Sequence, residues 1–241
     1  MSRKRINTTK IEIIQVATRM FLEKGFSATS AKSICEELEI STGNLTFYYP
    51  TKEHMLAVLV ELLCDFQWKM MEKEVNEGYS SLMAVCLELT AMAAMCEEDE
   101  IAKDFYLSIY SSPLTLEIIR KNDVERAKTV FAEYCADWNE VNFAEAEVLV
   151  SGIEYATLMT TADSSPLAVR IAGALNSIMM IYNVPEELRK AKVEKVLAMD
   201  YRSIGRRILK EFKKYVEEVN DQAFNELFQK REKGAEEKRN E

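Results

Sequence analysis

The sequence predicts an all-α protein, and three observations indicate that class. Its 241 residues include only seven glycines and four prolines, so sharp turns are few. Apolar residues recur at intervals of three and four, which is the period of an amphipathic helix. No segment alternates apolar and polar residues convincingly enough for a half-buried strand. We therefore expect helical units at residues 1–53 and 54–220, followed by a charged tail at residues 221–241.

The first helix is predicted over Thr8–Lys24. Its apolar side chains repeat at helical spacing, and Gly25 follows the last turn, where a left-handed C-terminal cap belongs. Four basic residues with no acidic residue among them lie at or before its start: Arg3, Lys4, Arg5 and Lys10. Such an arm can lie along phosphates or enter a minor groove, and a solvated tail is the alternative.

Residues 29–53 contain two short helical patterns joined by a tight turn. The first helix is predicted over Ala31–Leu38, where Thr29 or Ser30 can accept hydrogen bonds from the unpaired amides at its start. The second helix begins after a turn at Glu39-Ile40. This pattern indicates a helix-turn-helix, which places its second helix in the major groove of DNA. An ordinary helical hairpin has the same spacing and stays open as the alternative.

The second helix of this pair begins with small polar residues. Ser41 is its predicted N-cap, and Pro50 ends it after Tyr48, because proline disfavours helical geometry in the preceding residue. Small polar side chains can enter a major groove without steric conflict, and a helix N-terminus attracts phosphate. The residues concerned are Thr42, Gly43, Asn44 and Thr46.

At these positions the chain resembles the tetracycline-repressor (TetR) family of bacterial transcriptional regulators. The resemblance covers residues 11–56, about the first quarter of the chain. The matching positions keep the family's order and spacing: Ala17, Phe21, Gly25 and Phe26; Thr29; Ser41, Gly43 and Leu45; Phe47, Tyr48 and Tyr49; Lys52 and Glu53. Two positions depart from the pattern. Thr42 stands where the family often has Lys or Arg, and Thr46 stands where it often has Tyr.

The resemblance implies an N-terminal three-helix helix-turn-helix DNA-binding domain. It assigns base contacts to Thr42, Gly43 and Asn44, and an Asn amide can both donate to and accept from adenine. It implies contacts to the DNA backbone, which fix register without reading sequence, at Thr29, Phe47, Tyr48 and Lys52. Phe47 cannot hydrogen-bond through its side chain, so we expect it to pack on sugar or on its own helix. We expect Tyr49 to be a core residue.

The resemblance also implies a C-terminal helical ligand-binding and dimerisation domain. A pocket for a small effector is mostly apolar, and methionine adapts to irregular shapes. Suitable side chains occur mid-chain: Trp68, Met92, Phe105, Tyr106, Tyr110, Phe131, Tyr134, Tyr155 and Met159. Each can equally belong to the plain core, because both roles produce the same helical spacing. The polar balance favours an apolar or amphipathic effector.

Turn signals divide the rest of the chain into helices. They are predicted over Lys52–Asn76, Ser81–Glu97, Asp99–Tyr110, Pro113–Trp138, Phe143–Thr161, Pro166–Tyr182 and Pro185–Asn220. We expect a break at residues 78–80 and a bend near Asn122-Asp123. The last helix carries an apolar seam that either packs back on the body or extends a dimer contact.

The dimer interface is expected on residues 148–161 and 167–181. Both segments are apolar on more than one face, so they need cover from their own core and from a partner subunit. Small residues at close spacing mark the candidate contact: Gly152, Ala156, Ala172 and Gly173. The resemblance implies that these helices form a four-helix bundle with the same helices of the second subunit.

The net charge of −9 is unevenly divided. Residues 1–55 hold eight Lys/Arg and six Asp/Glu, a net charge of +2, whereas the remainder holds 23 and 34, a net charge of −11. A mildly basic head thus joins an acidic body, which discourages non-specific contact with DNA outside the head.

Several classes of function are disfavoured. No nucleophile–base pair, phosphate-binding loop or paired-carboxylate pattern occurs, so we expect no enzyme. Five scattered cysteines and the lone His54 offer no metal-ligand spacing, and no cofactor is implied. No run of 18 apolar residues or secretory signal occurs, so we expect a cytoplasmic protein without a membrane partner.

The sequence therefore predicts a homodimeric DNA-binding transcriptional regulator, most simply a repressor. Its two heads would bind successive major grooves of a palindromic operator, and a small effector would control that binding. The alternative is a helical binding or adaptor protein with a vestigial DNA-binding head, which Thr42 and Thr46 suggest. An enzyme in the helical body is the remaining alternative.

Overall fold

The computed structural model describes residues 3–75 and 81–218, with side chains from residue 10 onwards. Every regular element within these residues is an α-helix, so the predicted all-α class is confirmed. The helices are α1 Arg3–Lys24, α2 Ala31–Leu38, α3 Thr42–Tyr48, α4 Lys52–Val75, α5 Leu82–Glu98, α6 Glu100–Ser111, α7 Pro113–Val130, α8 Glu140–Leu158, α9 Leu167–Ile181, α10 Glu186–Leu197 and α11 Tyr201–Glu218.

Helices α1, α2 and α3 form a small N-terminal bundle around a dry core. Phe21 of α1, Ile34 of α2 and Leu45 of α3 are all buried at its centre. Tyr49 is also buried, as predicted, and its hydroxyl donates to the Lys10 carbonyl at 3.3 Å. The last turn of α3 is thereby held against α1, and the opposite side of α3 is left facing outwards.

Local sequence signals account for the ends of the helices in this head. Ser30 and Ser33 form a reciprocal capping box at the start of α2. Gly25 has φ +91°, a left-handed conformation that favours glycine, so α1 ends after Lys24. Glu39 also has a positive φ of 53°, which turns the chain sharply between α2 and α3. These features place the three helices at the predicted boundaries after residue 24.

Helix α1 begins at Arg3, five residues before the predicted start. The backbone of the basic segment is therefore helical rather than a separate arm. The side chains of residues 3–9 lie outside the described side chains, so a minor-groove contact by Arg3, Lys4 or Arg5 stays a prediction.

The prediction of one helix over Pro113–Trp138 was wrong. Helix α7 runs without a break through Asn122 and Asp123 and then ends at Val130. Phe131 turns into the core, where its ring stacks on Tyr182 with centroids 3.9 Å apart. Burying this aromatic pair stabilises the turn more than continued helix would, because each ring removes a large apolar area from water.

The prediction of one helix over Pro185–Asn220 was also wrong. The chain breaks at residues 198–200, and Asp200 accepts a hydrogen bond from the Ser203 amide at 3.3 Å as α11 begins. The apolar seam of α11 packs back on the body: Ile208, Phe212 and Val216 are buried. Gly205 permits this approach, since a Cβ there would lie 3.2 Å from the Ala91 carbonyl oxygen.

Helix α5 lies at the centre of the body and contacts most of its other helices. Thirteen of its side chains are buried, so α4, α6, α8, α9, α10 and α11 can pack around it. The predicted break at residues 78–80 lies outside the described residues. Within the described part of the chain, no helix is long and apolar enough to cross a membrane.

Candidate functional site

The outward side of α3 presents the residues predicted to contact bases. Thr42 and Gly43 are exposed and Asn44 is half-buried, whereas Leu45 is anchored in the core. Ser41 caps the helix, because its Oγ accepts a hydrogen bond from the Asn44 amide at 3.1 Å. The head thus displays the first turn of α3 on a rigid support.

Phe47 is the most exposed large apolar side chain in the described structure. Its exposed fraction is 76%, and its ring meets the half-buried Tyr48 edge-on with centroids 5.1 Å apart. An exposed aromatic beside a polar helix start is well placed to pack on a partner surface. The Thr46 hydroxyl, by contrast, donates to the Thr42 carbonyl at 3.1 Å and is thus occupied within α3.

Thr29 and Lys52, two of the predicted backbone-contact residues, hold the head together. Thr29 is buried, and its hydroxyl donates to the Gly25 carbonyl at 2.8 Å. The Lys52 ammonium donates to the Phe26 carbonyl at 2.9 Å and to the Thr29 carbonyl at 3.2 Å. It also lies 4.1 Å from the centroid of the Phe26 ring. Phosphate contact by either side chain stays a prediction, competing with these internal bonds.

Helix α6 of the body is hydrogen-bonded to the turn between α1 and α2. The Asp104 carboxylate accepts hydrogen bonds from the Ser27 amide, at 2.8 Å, and from the Ser27 hydroxyl. A Cβ on Gly25 would lie 2.7 Å from the same carboxylate, so a larger residue there would require the Asp104 side chain to shift. A second attachment joins Lys213 of α11 to Glu23 of α1 by an ion pair.

The body encloses a cavity bounded by α4 to α9. Its empty space amounts to about 790 Å³, including a part open to solvent, and the centre of a water molecule can move through about 80 Å³ of it. Four of the nine side chains predicted for a pocket line it: Met92, Tyr106, Tyr110 and Phe131.

The other five predicted pocket residues lie elsewhere. Phe105 is part of the core, and Trp68 lines a separate, more open pocket, where Arg126 lies 4.6 Å from its ring centroid. Tyr134 and Tyr155 are half-buried outside the cavity wall, and Met159 is exposed. Helical spacing could not separate these positions, because it reports which face of a helix is apolar and not what that face meets.

A polar cluster in the cavity wall was not predicted from the sequence. Arg126 of α7 forms an ion pair with Glu88 of α5 at 2.6 Å and a second with Asp123. Gln67 of α4 donates to Glu88 at 3.0 Å. One signal could have revealed it: Glu88 is the only charged residue among the apolar residues 82–96. A lone charge in such a stretch requires a buried partner.

Two further carboxyl groups of the wall, on α8, are held by tyrosines. Tyr182 donates its hydroxyl to Glu147, and Tyr110 donates its hydroxyl to Glu154 at 3.0 Å. Burial raises the pKa of Glu147 to about 8, and burial together with the neighbouring Asp123 raises the pKa of Glu154 well above its ordinary value. The cavity is therefore apolar over most of its wall but lined with acidic groups on one side.

The outer faces of α8 and α9 are apolar and exposed. Val148 and Leu149 of α8 and Val169 and Met180 of α9 are each at least half exposed. The four predicted interface residues accompany them: Gly152, Ala156 and Gly173 are exposed, and Ala172 is half-buried. A Cβ added to either glycine would meet no atom within 4 Å. The prediction of a dimer contact at this face is untested.

Comparisons with known proteins find similarity mainly in the head. Residues 13–59 match the sequence profile described as "Bacterial regulatory proteins, tetR family". The uncharacterised HTH-type transcriptional regulator YuxN of Bacillus subtilis (strain 168) is 28% identical over 106 residues, which cover 44% of this chain and 36% of that protein. The match thus spans little more than a third of that relative.

Solved structures resemble the chain only loosely. A gamma-butyrolactone receptor (ArpA-like protein) aligns over 86% of this chain and 99% of its own, with 16% identity and a TM-score of 0.43. The TetR family protein CprB from S. coelicolor A3(2) aligns over 86% and 99%, with 17% identity and a TM-score of 0.40. Structural similarity this weak supports no inference from these proteins about the body of this chain. The helix-turn-helix geometry and the matching profile show that the head, over residues 13–59, is similar to the tetR family of bacterial regulatory proteins.

Proposed function

We propose that the protein is a homodimeric repressor that binds a palindromic DNA operator. The observation that carries this proposal is the outward first turn of α3, which Ser41 caps and Leu45 anchors. Thr42, Gly43 and Asn44 contact base edges in the major groove, and Phe47 and Tyr48 pack along the DNA backbone. Thr29 and Lys52 add phosphate contacts when the DNA competes successfully for their polar groups.

Dimerisation follows from the exposed apolar face of α8 and α9. Side chains such as Leu149 and Val169 cost free energy in water, and a second copy of the same face would cover them. A two-fold axis through this face would present two heads to one side of a duplex. Operator binding requires them to lie about 34–36 Å apart, one turn of DNA.

A small effector in the cavity controls the spacing of the heads. Tyr106 and Tyr110 of α6 line the cavity, and Asp104 of the same helix holds the turn before α2. Helix α4 also connects the two regions, since it begins at Lys52 and lines the cavity further along with Leu63 and Gln67. An effector that binds more tightly to a conformer with a shifted α4 or α6 lowers the affinity for the operator. The loss of operator affinity cannot exceed the difference in the effector's affinity for the two conformers.

Selection of bound fragments from a random DNA pool tests the regulator proposal. We expect enrichment of a palindrome with half-sites one helical turn apart, and binding that weakens steeply as salt concentration rises. A protein that enriches no sequence and shows no salt dependence would instead be the helical adaptor with a vestigial head.

Sedimentation measurements test the dimer proposal. Leu149→Glu places a charge in the exposed apolar face and should shift the protein to monomer at micromolar concentration. Lys214→Glu, an exposed charge reversal on α11, is the matched control and should leave the dimer intact. A dimer that survives Leu149→Glu would exclude this face as the interface.

A further inference from the structure

The cavity wall holds more acidic groups than its one cation can pair. Its wall includes four carboxyl groups and a single guanidinium: Glu88, Asp123, Glu147, Glu154 and Arg126. Arg126 pairs with Glu88 at 2.6 Å and also with Asp123, so two acids share one positive charge. Within the described residues, no Lys or Arg forms an ion pair with Glu147 or Glu154.

Glu147 has an unsatisfied oxygen although it is almost completely buried. Its exposed fraction is 3%, its Oε1 accepts the Tyr182 hydroxyl, and its Oε2 has no hydrogen-bond partner in the described structure. A buried carboxyl oxygen without a partner costs free energy comparable to a lost hydrogen bond, and far more when the group is ionised. This cost falls if a ligand brings a positive charge or a donor to the oxygen.

The two unpaired acids face the cavity from one side of α8. Residues 147, 150 and 154 all line it, and a helical rise of about 1.5 Å per residue separates Glu147 from Glu154 by about 10 Å along the axis. Aromatic side chains belong to the same wall, with Tyr110 beside Glu154 and the stacked Phe131–Tyr182 pair beside Glu147. Aromatic faces attract cations, and their carbon surface accepts an apolar body.

We propose that the effector is an organic cation with an apolar body, a lipophilic amine or quaternary ammonium, whose charge lies between Glu147 and Glu154. This inference rests on the proposed role of the cavity as the effector site. An anion would meet the Glu88 and Asp123 carboxylates, which share one cation, and a neutral apolar molecule would leave the Glu147 oxygen without a partner. The small free space favours a compact ligand of one ring or a short branched chain.

Cation binding is coupled to proton release. Burial raises the pKa of Glu147 to about 8, so this carboxyl is largely protonated at pH 7 in the free protein. A neighbouring cation favours the carboxylate, and the displaced proton passes to the buffer. The titratable and charged groups around it, on the packed helices and at the end of α9, are Cys64, Glu88, Tyr106, Tyr110, Arg120, Asp123, Arg126, Glu154 and Tyr182.

Two isosteric probes test the proposal on the full chain without DNA. Benzyltrimethylammonium carries the charge, and neopentylbenzene has the same shape with carbon in place of nitrogen. We expect the cation to bind at least tenfold more tightly, judged by titration calorimetry and by the shift in unfolding temperature. Calorimetry at pH 7 in two buffers of different ionisation enthalpy should show the release of up to one proton per site.

Matched glutamine variants locate the charge. Glu147→Gln and Glu154→Gln keep the shape of the side chain and should each reduce the preference for the cation at least tenfold, and Glu147→Gln should also lower the proton release. Glu145→Gln changes an exposed residue of the same helix and should leave both quantities unchanged.

Three results would overturn the proposal: no binding of the cation, equal binding of the uncharged isostere, or an unchanged preference in both cavity variants. Stronger binding of the isostere would keep the cavity as an effector site and reject its charge selectivity. Failure to select an operator while the cation still binds would reject the regulator proposal alone.

Discussion

The head and the body differ in where their charged side chains lie. Between residues 10 and 51, no acidic or basic side chain is buried, and the interior holds apolar residues such as Phe21 and Leu45. The body encloses Glu147 and places Arg126, Glu88 and Asp123 in its cavity wall. On the proposed function, the head binds DNA through its surface and can keep an ordinary core. A region that binds in its interior must bury polar groups, at a cost in stability.

Removing the half-buried cation of the cavity wall should produce the largest loss of stability. Arg126→Met would leave the carboxylates of Glu88 and Asp123 unpaired in the cavity wall, which we expect to cost about 3–5 kcal/mol. Chemical denaturation measures the loss in the free energy of unfolding. Lys190→Met removes an exposed ion pair with Glu186 and should cost less than about 1 kcal/mol. Similar losses in the two variants would contradict the contrast between buried and surface charge.

Truncating the base-reading amide should affect binding and leave folding intact. Asn44→Ala should weaken binding to the selected operator by about 1–3 kcal/mol and relax the base preference at one position of each half-site. Its free energy of unfolding should stay within about 0.5 kcal/mol of the parent, because the side chain is outside the core. Fluorescence anisotropy against operator and scrambled DNA gives both affinities. A uniform loss on both DNAs would reassign Asn44 to backbone contact.

Between pH 5 and 8, the pH dependence of stability should depend on Glu147 and Glu154 of the body, and substitution isolates the contribution of Glu147. Its folded-state pKa of about 8 exceeds its ordinary value of 4.5, so between these values the folded state holds a proton that the unfolded chain has released. Stability therefore falls as pH rises through this window, by up to about 1.4 kcal/mol per pH unit. Urea denaturation at pH 5, 6, 7 and 8 should show a shallower fall for Glu147→Gln.

The exposed Glu145→Gln is the control for this comparison, and its profile should follow that of the parent. Parallel profiles for the parent and Glu147→Gln would mean that the carboxyl is ionised in the folded protein, and would remove the basis for proton release on ligand binding.

The head was predictable because its determinants are local. The capping serines Ser30 and Ser41 and the left-handed Gly25 act within a few residues of their own helix. Ser41 and Gly25 were predicted as caps, and Ser30 was one of two candidates beside Thr29. The two long predicted helices were wrong for reasons that are less local. Phe131 packs on the distant Tyr182 ring where α7 ends, and Asp200 caps α11 after the break that follows α10. Neither residue is a helix breaker in the sense of proline or glycine.

By itself, the sequence determined the helical class, the helix-turn-helix head and its similarity to tetR-family regulators, since periodicity, capping and fixed motif spacing operate over short stretches of chain. Three features depend on the tertiary structure: which acids lie in the cavity, the hydrogen bond of Asp104 to the turn before α2, and the packing of α11 on the body. These pairings join residues tens of positions apart. Their distance depends on how whole helices pack, and no local pattern records it.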